Sequence, residues 1–295
     1  MPYLELLQHN PVLYQIIVFI LGLLVGSFLN VVIHRLPEIL KREWQAECLE
    51  FLQREGVAGQ KHEDSSRHFN LVSPRSRCPH CGHLITAVEN IPVVSYLFLR
   101  GRCRECAQPI SLRYPLVELV SAVLVTLAAW KFGVTLQAAT AMLLIWALIC
   151  LTFIDYDHQY LPDNITLPFL WLGLLLNLFS TFTDLQSAVL GAIAGYLLLW
   201  LVYQIFKKLT GKEGMGFGDF KLLAMLGAWL GWQMLPAVII FSSVVGSVAG
   251  IALILFKRHN HSQPIPFGPY LAIAGWITLM WGSEINHAYL AWISR

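Results

Sequence analysis

Eight apolar runs divide this chain, and most are long enough to cross a bilayer. They lie near residues 12–33, 113–131, 136–155, 164–181, 187–206, 219–232, 234–256 and 268–290. A membrane-spanning helix needs about 20 apolar residues, because backbone polar groups in lipid must find partners within the helix. The pattern predicts an all-α polytopic membrane protein with about eight transmembrane helices. The sixth run is short, and the alternative topology makes the sixth and seventh runs a re-entrant pair.

Composition agrees with a membrane protein. The 295 residues are 56% hydrophobic and 13% charged, whereas an ordinary soluble domain has about 25% charged residues. A net charge of +2 is too small to indicate a nucleic-acid partner. The first apolar run has neither a basic segment before it nor a small-residue cleavage site after it. We therefore expect a retained helix rather than a removed signal peptide.

Basic residues are sorted by membrane side. If the segment after the first helix is cytoplasmic, 18 of the 20 Lys and Arg residues fall inside, and only Lys131 and Arg295 fall outside. This bias is expected from the positive-inside rule and supports eight spans. It predicts that both termini lie on the side away from the cytoplasm.

The segment 36–112 is polar and differs from the rest of the chain. EWQAECLEFLQREG is typical of a short amphipathic helix, and KHEDSSRHFN of an exposed loop. We expect a first transmembrane helix within residues 1–35, a small cytoplasmic domain at 36–112, and a membrane core of about seven helices at 113–295.

A short internal repeat, RCPHCGHLI and RCRECAQPI, carries two CxxC motifs. Their cysteines are Cys78, Cys81, Cys103 and Cys106. Four thiolates at this spacing are typical of a closed structural Zn2+ site. The alternative, redox dithiols or disulfides, is disfavoured in a reducing cytoplasm, and a domain this small needs a stabilising metal.

Other sulfur and imidazole groups have simpler interpretations. His80 and His83 lie within or just after the first CxxC, but four cysteines already complete a zinc shell, so both histidines are expected at the surface. Cys48 and Cys150 have no partner at useful spacing and are expected to be packing residues.

Acidic residues at the edges of the apolar runs are candidates for function, because carboxylates are costly there. Asp155 ends the third run and Asp219 opens the sixth, so both lie at the cytoplasmic side of the predicted topology. Two adjacent carboxylates share a proton, and one activates water while the other protonates a peptide carbonyl, as in aspartic proteases. Gly216 and Gly218 precede Asp219 closely and are expected to let a substrate backbone approach it.

Nearby charges have competing interpretations. Asp157 lies roughly 200° from Asp155 around a helix, and either a solvated charge or a supporting role fits it. For Asp163 we favour a carboxylate that complements a helix N-terminus. Glu118 is either a paired residue between helices or a functional acid, and Lys221 is expected to extend to the surface.

Six motifs, in order along nearly the whole chain, resemble the bacterial type IV prepilin peptidases. They are GSFLNVVIHRLP at 26–37, the two CxxC motifs, NIPVVSYLFLRGRC at 90–103, PISLRYPLVEL at 109–119, DYDHQYLPD at 155–163 and GMGFGDFKL at 214–222. The resemblance implies an inner-membrane enzyme that cuts the basic leader from prepilins and pseudopilins and then methylates the new N-terminus. The methyl donor it implies is S-adenosylmethionine.

The resemblance also implies roles for particular residues. The two catalytic aspartates of the family fall on Asp155 and Asp219, and its zinc-binding cysteines fall on the four listed above. Methylation rests on the resemblance alone, because no glycine-rich nucleotide fingerprint follows a strand here. We place the methyl-donor site provisionally in residues 90–103.

Two other classes of protein compete. A proton-coupled transporter also uses acids in interrupted spans, but its acids are expected near the bilayer midplane and its two halves to be alike. A non-enzymatic assembly factor would use the zinc domain for docking and would not need the aspartates.

Overall fold

The computed structural model describes residues 2–55, 69–257 and 266–293. These residues form ten α-helices and one 3-10 turn, Trp232–Met234. The α-helices are α1 Pro2–His9, α2 Pro11–Arg54, α3 Val94–Phe98, α4 Arg113–Phe132, α5 Leu136–His158, α6 Asp163–Asn177, α7 Leu185–Thr210, α8 Phe217–Leu230, α9 Leu235–Lys257 and α10 Gly268–Ile293. The all-α prediction is confirmed. The loop predicted at KHEDSSRHFN lies largely outside the described residues.

Each of the eight predicted apolar runs is helical, but the helices differ in length. Five segments are long and apolar enough to cross a membrane: Pro11–Arg54, Arg113–Phe132, Leu136–His158, Leu185–Thr210 and Trp232–Ala252. Helices α6 and α8 have 15 and 14 residues, less than the roughly 20 residues that a full crossing requires.

The shortness of α8 is explained by its surroundings. Phe220, Leu223, Met225 and Trp229 are completely buried, although they point in different directions around the helix. A helix that is apolar on all sides belongs in the centre of a bundle. The predicted sixth span is therefore an interior helix enclosed by its neighbours.

Glycines bring α7 and α8 into backbone contact. A Cβ on Gly191 would lie 2.3 Å from the carbonyl oxygen of Gly227, and one on Gly195 would lie 2.6 Å from that of Leu223. Small residues at such crossings allow close packing where lipid provides no hydrophobic drive between helices. This contact positions α8, the helix that carries Asp219.

Helix α2 is longer than predicted. It continues without a break to Arg54, so the separate helix expected at EWQAECLEFLQREG is its C-terminal extension. Residues after Pro37 are good helix formers, and ion pairs one turn apart join Glu38 to Arg42 at 3.1 Å and Glu50 to Arg54 at 2.6 Å.

The described chain divides into two compact units. One contains residues 15–126, and the other contains the residues before Gln15 together with those from Leu127 onward. This grouping joins α2 and most of α4 to the cysteine-bearing segment. The boundaries at 35 and 112 remain a prediction.

Asn177 holds the ends of two helices together. Its side-chain amide donates to the carbonyl oxygens of Ala228 and Trp229 at 2.8 and 3.1 Å. Its carbonyl oxygen accepts from the N–H groups of Phe182 and Thr183 at 3.0 and 3.2 Å. The residue is almost completely buried, so all four backbone groups depend on it.

The Asn177→Ala variant is expected to lower the free energy of unfolding by about 2–4 kcal/mol, because buried polar groups would lose their partners. Thermal unfolding in detergent measures the effect. Asn164→Ala, in the same helix but exposed, is the matched control. Equal unfolding temperatures for the two variants would contradict the assignment.

Candidate functional site

Asp155 lies in the last turn of α5 and is only 5% exposed. A helix C-terminus disfavours negative charge, so this carboxylate needs a compensating partner. Its Oδ2 accepts a hydrogen bond from the N–H of Gly268, the first residue of α10, at 3.0 Å. One carboxylate thereby caps the N-terminus of another helix, whose first N–H groups have no partner within that helix.

Asp219 lies in the first turn of α8 and is 7% exposed. The positive end of a helix dipole favours a carboxylate at this position. The Leu161 side chain lies against both Gly218, which precedes Asp219, and Gly268, whose N–H binds Asp155, so the two aspartates lie in one region of the fold. The fold therefore brings together the two aspartates that the sequence singled out, which lie 64 positions apart.

Leu161 packs between the start of α8, which carries Asp219, and the start of α10, which binds Asp155. A Cβ on Gly218 would lie 2.9 Å from Cβ of Leu161, and one on Gly268 would lie 3.2 Å from Cδ2 of the same side chain. Leu161 is itself buried. It sets the spacing between the start of α8 and the start of α10.

The glycines before Asp219 have different roles. Gly218 lacks a side chain because Leu161 occupies that space, so the expectation that it leaves room for substrate is wrong. At Gly216 a Cβ would have only the Asp219 carboxylate, at 3.9 Å, and the backbone nitrogen of Gly218, at 4.0 Å, within reach. Of these two glycines, Gly216 therefore has open space beside Asp219, and Gly218 does not.

Lys221 forms a solvent-exposed ion pair, a contact that the sequence did not predict. Its Nζ lies 2.7 Å from both carboxylate oxygens of Asp163. Asp163 is the first residue of α6, as expected for a carboxylate at a helix N-terminus. The pair connects the start of α6 to the first turns of α8, two residues from Asp219.

Three further acids have surroundings of their own. Asp157 is exposed in the last turn of α5. Glu118 is 8% exposed and accepts a hydrogen bond from the N–H of Val93 at 2.7 Å, which agrees with a paired residue between elements. Glu284 lies 2.6 Å from Nζ of Lys131.

The two CxxC motifs fold as equivalent turns. In the first, the N–H of Cys78 donates to His83 O at 2.9 Å and the N–H of Gly82 donates to Cys78 O at 3.0 Å. The second motif has the same two bonds. The N–H of Cys103 donates to Gln108 O at 2.8 Å, and the N–H of Ala107 donates to Cys103 O at 2.9 Å. The sequence repeat is thus a structural repeat.

The four thiols converge on one point. Their sulfurs lie within 4.8 Å of one another, with 3.8 Å between Cys78 and Cys106 and 3.9 Å between Cys81 and Cys103. Ligands about 2.3 Å from a tetrahedral ion lie about 3.8 Å apart, so the cluster fits a metal such as zinc. The N–H groups of Cys81 and His80 lower the pKa of the Cys78 thiol to about 6, whereas burial and the neighbouring thiols raise the pKa of Cys81 to about 12. The four thiols therefore titrate as one group rather than independently.

The histidines and the other two cysteines lie outside this cluster. His83 is directed to Glu89, with Nε2 and Oε2 3.2 Å apart, and His80 is exposed. The N–H and hydroxyl of Thr86 hydrogen bond the Glu89 carboxylate and, together with His83, lower its pKa to about 2. Cys48 is exposed on α2, so the expectation that it is a packing residue is wrong, whereas Cys150 is buried in α5 as expected.

Sequence reasoning missed Gly268. A Cβ there would lie 2.6 Å from Oδ2 of Asp155, so only glycine allows the α10 N-terminus to reach the carboxylate. The FGPY stretch contained a signal, because a glycine and a proline just before an apolar run often mark a helix start. Its link to Asp155 depends on a contact between residues 113 positions apart.

A helical membrane fold, two buried aspartates and a four-cysteine cluster that could hold a metal ion together define a polytopic membrane protein. Residues 20–132 match the Bacterial Peptidase A24 N-terminal domain, and residues 142–251 match the Type IV leader peptidase family. The chain belongs to the type IV leader peptidase family.

Curated relatives agree with this assignment along the whole chain. The chain is 57% identical over 289 residues to a "Prepilin leader peptidase/N-methyltransferase" of Aeromonas hydrophila, covering 97% of each protein. Proteins of the same name from Stutzerimonas stutzeri and Pseudomonas aeruginosa are 54% and 53% identical, covering 97% and 98% of each chain. No solved structure is significantly similar. Nothing in these comparisons supports the transporter alternative.

Proposed function

We propose that this protein is a prepilin leader peptidase and N-methyltransferase of the bacterial inner membrane. The observation that carries the proposal is the burial of Asp155 and Asp219 in one region of the fold, in a chain that matches proteins of that name over 97% of its length. Family membership identifies the reaction class, and the paired carboxylates supply the chemistry for the cleavage step.

Leader cleavage uses the two aspartates as a unit. Like charges at close range cannot both ionise at low cost, so the pair holds one proton between its two carboxyl groups. The ionised member accepts a proton from a water molecule, which attacks the scissile carbonyl carbon, while the protonated member donates to the carbonyl oxygen. The proton taken from water then passes to the amide nitrogen as the C–N bond breaks, which releases the new N-terminal amine. The N–H of Gly268 orients Asp155 for this step, and the ion pair between Lys221 and Asp163 holds the first turns of α8.

The substrates that suit this site are prepilins, and by the same chemistry pseudopilins of type II secretion. Such a precursor has a basic leader followed by an apolar helix. Its scissile bond rests where charge meets lipid, the level at which α5 ends and α8 begins. Open space at Gly216 allows an extended backbone to reach Asp219.

Methylation is the second activity that we propose. Transfer of a methyl group to the new N-terminal amine requires an electrophilic donor, for which we propose S-adenosylmethionine. We keep the segment 90–103 as the candidate region, without assigning binding residues.

The four-cysteine cluster is proposed to bind one structural Zn2+. Four thiolates leave no open position for substrate on a tetrahedral ion, so the metal would hold the two turns together rather than act in catalysis.

We propose that the aspartates and the cysteine cluster face the cytoplasm and that both termini lie in the periplasm. The distribution of Lys and Arg supports this orientation. The ion pair of Lys131 with Glu284 joins two residues that the eight-span topology independently assigns to the periplasmic side. Besides its pilin substrates, the protein is proposed to contact the surrounding membrane lipid.

Incubating the purified protein in detergent with a pilin precursor and methyl-labelled S-adenosylmethionine tests the proposal. We expect a shortened pilin that carries one labelled methyl group. Cleavage without methyl transfer would contradict the second activity, and an intact precursor would contradict the first.

The Gly268→Ala variant is expected to cleave about 10²-fold more slowly, because a displaced carboxylate loses its reactive geometry. The added methyl group would lie 2.6 Å from Oδ2 of Asp155. Initial rates of leader cleavage measure the loss. Gly246→Ala is the control, because its Cβ would meet only the movable Tyr270 ring, at 3.2 Å. Equal rates for the two variants would show that Gly268 does not position Asp155.

A further inference from the structure

The short helix α3, between the two CxxC turns, exposes an apolar surface that the proposed peptidase activity does not explain. Ile91, Val94, Leu97 and Phe98 are all exposed, and Phe98 is 84% exposed. Their spacing of three and four residues places Val94, Leu97 and Phe98 along one side of the helix. We call these four residues the α3 apolar face.

The opposite side of α3 is anchored to the second CxxC turn. The hydroxyl of Tyr96 donates to Ile110 O at 3.4 Å, and the N–H of Gly101 donates to Tyr96 O at 2.8 Å. A Cβ on Gly101 would lie 2.7 Å from the Tyr96 hydroxyl. Tyr96 faces the two CxxC turns, which we call the metal module. Leu97 and Phe98 are therefore held on the side of α3 that points away from it.

A hydrogen bond relates α3 to the depth of the membrane spans. The N–H of Val93, the residue before α3, donates to Oε2 of Glu118 at 2.7 Å. Glu118 is five residues after Arg113, the start of α4, which corresponds to about 7.5 Å along a helix axis. The start of α3 therefore lies at the level of the first two turns of a predicted span.

Helix α2 gives an independent measure of the same depth. A Cβ on Gly26 would lie 2.7 Å from Cα of Glu118, so the two residues are at one level. Gly26 precedes Arg35 by nine residues, or about 13 Å of helix. Val93 therefore lies deeper in the membrane than the arginine at the cytoplasmic end of each helix, which is Arg35 in α2 and Arg113 in α4.

The backbone at Val93 is held in a costly conformation. Its φ of 59° and ψ of −46° are unusual for a β-branched residue. Such a conformation persists when its surroundings enforce it, and the buried Glu118 carboxylate supplies the restraint. The turn into α3 is consequently fixed rather than adaptable.

We propose that the α3 apolar face is inserted into the cytoplasmic leaflet of the bilayer, so that the metal module lies directly on the membrane. Apolar side chains at this depth meet acyl chains rather than water. Arg100 and Arg102 follow α3 closely and are exposed, as expected for groups that meet the anionic headgroups of that leaflet.

Site-specific fluorescence in lipid nanodiscs tests this placement with the full-length, metal-loaded protein. A small fluorescent amino acid replaces Phe98 in one variant and Val72 in the other. Val72 is the matched control, because it is also 84% exposed but lies in a turn whose neighbours, Asn70 and Pro74, bind Arg35 through their carbonyl oxygens.

At position 98 we expect strong quenching by lipids brominated on their acyl chains and little quenching by aqueous iodide. At position 72 we expect the reverse. Iodide quenching at position 98 as strong as at position 72 would overturn the proposal. Protection at position 98 that develops only after the apolar helix of a pilin precursor is added would overturn it as well, in favour of a peptide-docking surface.

Two control measurements separate the quenching result from effects on folding and on activity. A fluorophore at Leu97 serves if the variant at position 98 loses its metal, since metal content reports an intact module. Contact of α3 with lipid does not require leader cleavage, so quenching is expected to be unchanged in the Asp219→Asn protein. Failure of the peptidase proposal and failure of lipid insertion are therefore distinguishable.

Discussion

The Asp155→Asn and Asp219→Asn variants are each expected to lose leader cleavage, by on the order of 10⁴-fold in kcat. An amide has nearly the shape of a carboxylate but cannot accept the proton of the attacking water or share a proton with its partner. Cleavage of a pilin precursor in detergent, followed over time, measures the loss. Methyl transfer to a substrate that has already been cleaved is expected to continue in both variants.

Asp157→Asn is the matched control for these substitutions, because Asp157 lies in the same turn as Asp155 but is exposed. It is expected to cleave at nearly the unmodified rate. A comparable loss at Asp157, or normal cleavage by either buried variant, would show that the pair of aspartates is assigned incorrectly. Thermal unfolding of all three variants separates a chemical defect from a folding defect.

Removing one thiol of the metal site is the second change with a large expected effect. The Cys78→Ser and Cys103→Ser variants are expected to fall from about one zinc per chain, the capacity of a four-thiolate site, to nearly none. Zinc contributes on the order of 10 kcal/mol to the folding of small zinc modules. We therefore expect residues 69–112 to become sensitive to protease when the metal is lost.

Cys48→Ser provides the control, because Cys48 is exposed on α2 and lies outside the cluster. It should retain its zinc and its resistance to protease. Metal analysis of the purified proteins measures the zinc content per chain of the three variants. A chain that is active and protease-resistant without bound metal would contradict a structural zinc site, as would equal zinc contents in all three variants.

The features best predicted from the sequence depend on local pattern. Apolar runs of sufficient length specified helices wherever they occurred, because a backbone in lipid has few other ways to satisfy its hydrogen bonds. The CxxC repeat likewise predicted two similar turns, since four thiols at this spacing have few other uses. Both kinds of signal are contained within a few tens of residues.

Predictions that depended on a partner elsewhere in the chain were less complete. Lys221 was expected to extend to the surface, but its ion pair there with Asp163, 58 positions earlier, was not predicted. Gly218 was expected to face substrate, but Leu161 fills the space beside it. The helix expected at EWQAECLEFLQREG is not a separate element for a different reason, because favourable helix propensity and Glu–Arg pairs carry α2 through the polar segment.

The sequence by itself determined the all-α membrane class, the four metal-binding thiols and the two aspartates worth testing, because each follows from residue type and spacing. Only the tertiary structure decided how the aspartates are held. Packing of α7 against α8 through Gly191 and Gly227 fixes the position of Asp219. The N-terminus of α10 fixes Asp155 through Gly268. Such contacts join residues far apart in the chain, and side-chain shape in a close-packed interior selects them rather than any local pattern.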